Sequence, residues 1–171
     1  MALPKKLKLM NLYNEGNSYL GQTGEVTLPK LGRKFENWRG GGMNGNVKVD
    51  FGLSDDAIEM TWKLGGIDPL VLKQFGAKTI GALGLRFAGS YQKDDSGEET
   101  SIEIVIRGRH EEIDFGNAKA GDDTETTVKT IWSYYKLSID GQVVIEIDIP
   151  GCKEIVNGVD LLEKHRDNIG L

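Results

Sequence analysis

Apolar and polar side chains alternate along most of this chain. In Ser101–Arg107, Ile102, Ile104 and Ile106 fall on one face and Ser101, Glu103 and Arg107 on the other, the period of two of a half-buried strand. The polar run Lys93–Glu99, which contains Gly97, precedes it, and Leu83–Tyr91 lies before that, so the two segments predict a long hairpin with a solvated tip. A second hairpin is predicted by Val128–Ile139 and Gln142–Ile149 around Asp140-Gly141, a pair suited to a type I′ turn because both central residues need positive φ. Leu7–Tyr13, a turn at Asn14–Asn17 and Ser18–Leu28 predict a third. Val47–Gly52 and Ala57–Leu64 predict two further strands, with Glu59, Thr61 and Lys63 opposite Ile58, Met60, Trp62 and Leu64.

Two places read as helix. Asp68-Pro69 has an N-cap followed by Pro at the first helical position, with Leu70, Val71, Leu72 and Phe75 as the apolar stripe and Gly76 as the stop. Asn157–His165 predicts a short C-terminal helix. Residues 28–46 show no clean alternation and carry Pro29 and Gly40-Gly41-Gly42-Met43-Asn44-Gly45, so they read as a long loop, and a loop of that length inside a compact domain is commonly functional. The pattern as a whole predicts one mostly β domain over residues 1–171, an antiparallel barrel or sandwich of about eight strands with one α-helix and a C-terminal tail.

Composition adds two facts. The 23 glycines match a chain of short strands and tight turns. The net charge of −5 argues against a general nucleic-acid coat, yet residues 1–48 hold eight basic groups against three acidic ones, so the remainder is strongly acidic. Such a split suits either a nucleic-acid arm or a surface that attracts another copy of the chain. The basic N-terminus is not followed by the apolar run of a signal sequence, which predicts synthesis in the cytoplasm.

Candidate chemistry is sparse. His110 and His165 lie in no catalytic pattern, Cys152 stands alone, and Gly40–Gly42 lacks the Gly-Lys-Ser/Thr of a phosphate loop, so neither an enzyme nor a cofactor or metal site is expected. The acidic runs Asp94–Glu99 and Gly121–Glu125 lack the ligand order of a calcium loop. Lys30, Arg33, Lys34 and Arg39 interleave with Phe35 and Trp38, a pattern shared by single-stranded nucleic-acid sites and by protein interfaces. A single-stranded nucleic-acid-binding β-barrel is therefore the alternative to an assembly protein.

Three stretches are distinctive: residues 28–45, with Arg33-Lys34-Phe35-Glu36-Asn37-Trp38-Arg39 before the glycines; residues 86–98, from Arg86-Phe87-Ala88-Gly89-Ser90-Tyr91; and residues 156–171, with Leu161-Leu162-Glu163-Lys164-His165-Arg166. In these, and in Lys5–Asn11, the chain resembles the major tail tube protein of contractile-tailed bacteriophages, a family that includes the tube subunit of R-type pyocins. The resemblance implies a fold of the haemolysin-coregulated protein type. It also implies homohexameric rings stacked head to tail into a hollow tube, which a contracting sheath drives through a target cell envelope. Implied partners are further copies of the chain, the sheath protein, baseplate or tube-initiator and terminator proteins, and a tape measure protein in the lumen, with no specific nucleic acid. Assembly in the bacterial cytoplasm and release as part of a phage tail or pyocin follow. In that setting Lys30, Arg33, Lys34 and Arg39, with Phe35, Trp38 and Met43 as apolar anchors, are expected to reach a neighbouring ring. Glu59, Thr61, Lys63, Ser101, Glu103 and Arg107 are candidates for the lumen face, although an ordinary solvent face has the same pattern.

Overall fold

A computed structural model describes residues 1–171. The strands are β1 (Lys6–Asn14), β2 (Asn17–Ser18), β3 (Thr23–Thr27), β4 (Arg33–Trp38), β5 (Val47–Leu53), β6 (Glu59–Leu64), β7 (Leu83–Gln92), β8 (Glu99–Asp114), β9 (Thr126–Ile139), β10 (Gln142–Asp148), β11 (Lys153–Val156) and β12 (Val159–Asp160). The helices are α1 (Pro69–Lys73) and α2 (Glu163–Ile169), and a 3-10 turn at Asp55–Ile58 leads into β6. All pairings are antiparallel.

Ten strands form one sheet in the order β12-β11-β10-β9-β8-β7-β1-β2, with β6 joined to β9 and β3 to β6. The sheet curls around a core but does not close into the barrel envisaged from sequence. The branch arises at β9, whose first half pairs with β6 and whose second half pairs with β10, both along the edge not taken by β8. Register slips where the halves meet, between Arg107 and Gly108, leaving Ser133 as the extra residue. Gly108 is obligatory there, because a Cβ would lie 1.8 Å from the Ile131 carbonyl oxygen.

The predicted hairpins β7–β8 and β9–β10 form, and Asp140 (φ 49°) and Gly141 (φ 81°) both take the positive φ of the turn. Three expectations are corrected. Residues 28–46 are not one loop, since Arg33–Trp38 is a strand paired with β5. The segment after Ser18 pairs with β6 rather than β1, because the chain turns at Tyr19–Gln22. The C-terminal helix begins at Glu163, because Asn157 (φ 51°) and Gly158 (φ 78°) form the turn between β11 and β12.

The core gathers Leu12, Met60, Trp62, Leu85, Phe87, Ile106, Val128 and Tyr135 from β1, β6, β7, β8 and β9. Each such side chain is worth about 1.5–3 kcal/mol on burial. α1 closes one end with buried Val71 and a polar chain beneath it. The Trp62 indole N–H donates to Thr130 Oγ1 (3.1 Å), and Thr130 donates to His110 Nδ1 (2.9 Å). His110 Nε2–H then donates to Gln74 Oε1 (2.9 Å), and Gln74 and Asn14 exchange two amide bonds of 2.8 Å. Asn14 reaches Tyr19, whose hydroxyl donates to Asp68, the residue that caps α1. A neutral His110 satisfies every member of this chain, with Thr130 accepting from Trp62 and donating to Nδ1, and burial favours that form.

Burial pushes the His110 imidazole down to about 4, against an ordinary value of 6.5. The unfolded chain therefore binds the extra proton first, and stability present above pH 6.5 is lost as pH falls toward 4. Urea unfolding is expected to show that slope between pH 6.5 and about 5.5, where ordinary carboxylates are still largely ionised. His110→Gln should flatten it, and an unchanged slope would contradict the neutral assignment.

Candidate assembly surfaces

β4 and β5 form a sheet of their own and pair with no other strand. The register sets Glu36 opposite Val49, Trp38 opposite Val47, Asn37 opposite Lys48 and Phe35 opposite Asp50. Strand alternation therefore places Trp38, Val47 and Val49 on one face, where a shallow hollow lined by Glu36, Trp38, Val49 and Phe51 adds Phe51 to the row. Phe35 lies on the opposite face with Asn37, Lys48 and Asp50. Trp38 and Phe51 are 61% and 62% exposed, so an apolar row stands uncovered on a ribbon of a kind that is marginal by itself.

The tip is folded, not loose. Arg39 Nε donates to the Met43 carbonyl (3.1 Å), the Met43 N–H to the Gly40 carbonyl (3.2 Å), and the Gly40 N–H contacts Met43 Sδ at 3.1 Å. Met43, expected as an exposed anchor, is thus half-buried within the tip.

The basic residues divide by use. Arg33, expected to reach another ring, is engaged within its own chain by Asp50 (2.5 Å) and Glu154. Hydrogen bonding to Asp50 is the main cause of its raised pKa, with Glu154 adding to it, and the Asp50 carboxyl is lowered by the Gly52 N–H and by Arg33. Lys34 sits 3.7 Å from Glu36, whereas Lys30, Arg39 and Lys48 make no ion pair. At the N-terminus, Lys5 pairs with Glu98 (3.2 Å), Lys8 with Asp94 (2.8 Å), and the Leu3 N–H donates to Asp95 (2.9 Å). The acidic tip of β7–β8 therefore receives the basic N-terminus, and Lys93 and Lys5 hold the Glu98 carboxyl below its ordinary value.

The two polar rows singled out in the sequence share one continuous face of the large sheet. Glu59, Thr61 and Lys63 lie opposite Ile131, Lys129 and Thr127, while Glu103 and Arg107 lie opposite Ser138 and Tyr134. The extra residue Ser133 keeps both halves of β9 in phase on that face. Ser101 sits beyond Glu103 on β8, opposite Ser90 of β7. Many charges here are paired across strands, Lys129 with Glu59 (3.2 Å) and Glu111 (3.6 Å), Lys63 with Glu125 (3.2 Å) and Glu25 (3.8 Å), and Arg86 with Glu103 (3.2 Å), whereas Arg107 and Lys136 make no ion pair. Arg86 also lies over the Tyr13 ring at 4.0 Å, and burial together with Glu146 pushes the Tyr134 hydroxyl up to about 12. Sequence reasoning missed Phe51, Asp50 and Glu154. The alternation of Val47, Val49 and Phe51 was visible, but not that one face would lack cover.

These surfaces define a class, a β-sheet structural subunit with an uncovered apolar arm and a charge-balanced face. The chain belongs to the family described as phage tail tube protein FII, matched over residues 4–170, and is a structural protein of phage tails, not an enzyme. It is 52% identical over 172 residues to the tail tube protein of Escherichia phage P2, covering the whole of both chains. It is 44% identical over 149 residues to the major tail tube protein of Serratia phage KSP20, covering 87% of this chain and 85% of that one. Among solved structures, a chain of the six-fold symmetrised anti-feeding prophage baseplate superposes with a TM-score of 0.50 at 12% identity, over 77% of this chain and 91% of that one, a likeness of fold.

Of the three tryptophans, Trp62 and Trp132 are buried and Trp38 is not. The soluble protein is expected to show a red-shifted emission component open to acrylamide quenching, and Trp38→Phe should remove it. Persistence of that component in the variant would contradict the exposed hairpin face.

Proposed function

We propose that this chain is the subunit of the inner tube of a contractile tail or R-type pyocin. Homohexameric rings stack head to tail into a rigid hollow tube, and contraction of a surrounding sheath drives that tube through the target envelope. The observation that carries this reading is the β4–β5 hairpin, an arm with an uncovered apolar row and free cations at Lys30, Arg39 and Lys48, on a chain whose remaining surface is acidic. Glu112, Asp114 and Asp123 make no ion pair in the protomer and have the complementary charge. Stacked rings meet through unlike surfaces that do not close on themselves, and a basic arm with a separate acidic patch suits that geometry. Ring number, the sheath, baseplate, terminator and tape measure partners, and assembly in the bacterial cytoplasm, rest on the sequence resemblance.

The nucleic-acid alternative has less support. Its site needs aromatic rings presented together for successive bases, and β4 turns Phe35 and Trp38 to opposite faces. Lys30, Lys34, Phe35, Trp38 and Arg39 accordingly belong to a protein interface, with Val47, Val49 and Phe51 added to it.

Lys30→Glu combined with Lys48→Glu is expected to leave the melting temperature within about 2 °C, since neither side chain makes an ion pair or a side-chain hydrogen bond in the protomer. It should abolish tubes in electron micrographs at concentrations where the unaltered chain forms them. Full-length tubes from this variant would overturn the arm as a contact between rings.

The sheet face carrying Glu59, Thr61, Lys63, Ser101, Glu103 and Arg107 is the proposed lumen lining. Glu103→Cys in a Cys152→Ser background should react with a small maleimide in assembled tubes and resist one attached to a polymer too wide for the lumen. Rapid reaction with the wide reagent would overturn the assignment.

A further inference from the structure

The hairpin joins the large sheet at one place. The Ser54 N–H donates to the Gly32 carbonyl (3.0 Å) and closes its base. Immediately beside it, the Arg33 guanidinium spans two carboxylates on different elements. Nε reaches Asp50 Oδ2 (2.5 Å) on the partner strand, and Nη1 reaches Glu154 on β11, whose side chain is only 10% exposed. Asp50 is itself fixed, since its second oxygen accepts the Gly52 N–H (2.8 Å) and Gly52 holds the turn with φ of 100°. One guanidinium thus ties β4, β5 and β11 together.

Under this junction is a groove of about 890 Å³ between the hairpin and the C-terminal segment, with apolar walls at Phe51, Ile147 and Leu162 and with Arg33, Asp50 and Glu154 in its lining. An uncovered apolar ribbon beside those apolar walls has a driving force to shift along them, proportional to the area removed from water. The Arg33–Glu154 pair joins the hairpin wall of the groove to its β11 wall, and any shift that parted the two would leave a carboxylate almost without solvent and without its cation, which is strongly unfavourable.

We propose that Arg33 and Glu154 form a pin that fixes the hairpin relative to its own groove, in the pose that a second copy of this chain receives. Arg33 is then a positioning residue of assembly, acting through the hairpin, and not a contact across the ring boundary. What the pose is for rests on the tube reading, but the pin is a property of the single protomer.

Two readouts separate these points. In the soluble protein, Glu154→Gln keeps the size and hydrogen-bonding reach but removes the charge. The β4–β5 amides should exchange with solvent at least about tenfold faster, with β8 and β9 amides unaffected. The concentration needed for tube growth should rise at least about fivefold as fewer protomers hold the competent pose. Glu154→Asp, which keeps the charge on a shorter side chain, should change both quantities less than Glu154→Gln does. Should Glu154→Gln also loosen the core amides, Arg33→Lys supplies the same two readings.

Unchanged β4–β5 exchange overturns the pin. Faster exchange with an unchanged growth threshold overturns its role in assembly. Failure of the unaltered chain to form tubes under any condition would instead sink the tube reading, while the exchange data still decide the pin.

Discussion

Gly108 passes against the Ile131 carbonyl with no room for a side chain, and from this close approach the rest of the architecture follows. It lets β8 stay in register with both halves of β9 across a one-residue slip. The other edge of β9 is thereby free to be shared, with β6 along its first half and β10 along its second. Between these two partners the edge has a gap, filled by the 3-10 turn before β6, the turn after β10, and the Ile149 N–H bonded to the Ser133 carbonyl (3.0 Å). The base of the β4–β5 hairpin enters at this gap. A bend that serves packing therefore also decides where the arm leaves the molecule.

The large sheet and the arm are stabilised by different means. The sheet has a core that includes Trp62 and Ile106, both 0% exposed, and a buried polar chain whose donors and acceptors from Trp62 through His110 to Asp68 match. Its outer face pairs many of its charges across neighbouring strands. Exposed ion pairs of that kind contribute little to stability individually. The arm has neither a core nor a second layer, and it keeps its shape through its own ladder, its folded tip and the Arg33 junction.

Much of this was legible in the sequence wherever local rules decide the outcome. Asp140-Gly141 specified its turn, Asp68-Pro69 its helix start, and the alternation around Ile102–Ile106 its strand faces, because in each case the deciding interaction lies within a few residues. What was not legible depended on distant partners. Nothing local says that Glu25 will face Lys63, or that the rows led by Glu59 and Glu103 will share a face, because that depends on the extra residue Ser133. Residues 28–46 read as a loop because Pro29 and the glycines mask a strand whose partner, Val47–Leu53, follows only after the tip. Asn157-Gly158 read as helix because its apolar neighbours suit either periodicity, and the positive φ at both positions excludes helix.

The charge asymmetry between the first 48 residues and the rest changes meaning once partners are assigned. Lys5 and Lys8 answer the acidic tip of β7–β8, and Arg33 answers Asp50 and Glu154, so these cations stabilise the protomer itself. Lys30, Arg39 and Lys48, on the arm and its approach, are left without an ion pair, as is Lys6 on β1, while unpaired carboxylates such as Glu112 and Asp114 lie on the main sheet. Satisfying the protomer's internal pairs first thus concentrates most of the unpaired cations of the first 48 residues on the arm. An arm meeting an arm would bring those cations together, which disfavours contact between like surfaces. Net charge alone conceals this local concentration of unpaired cations.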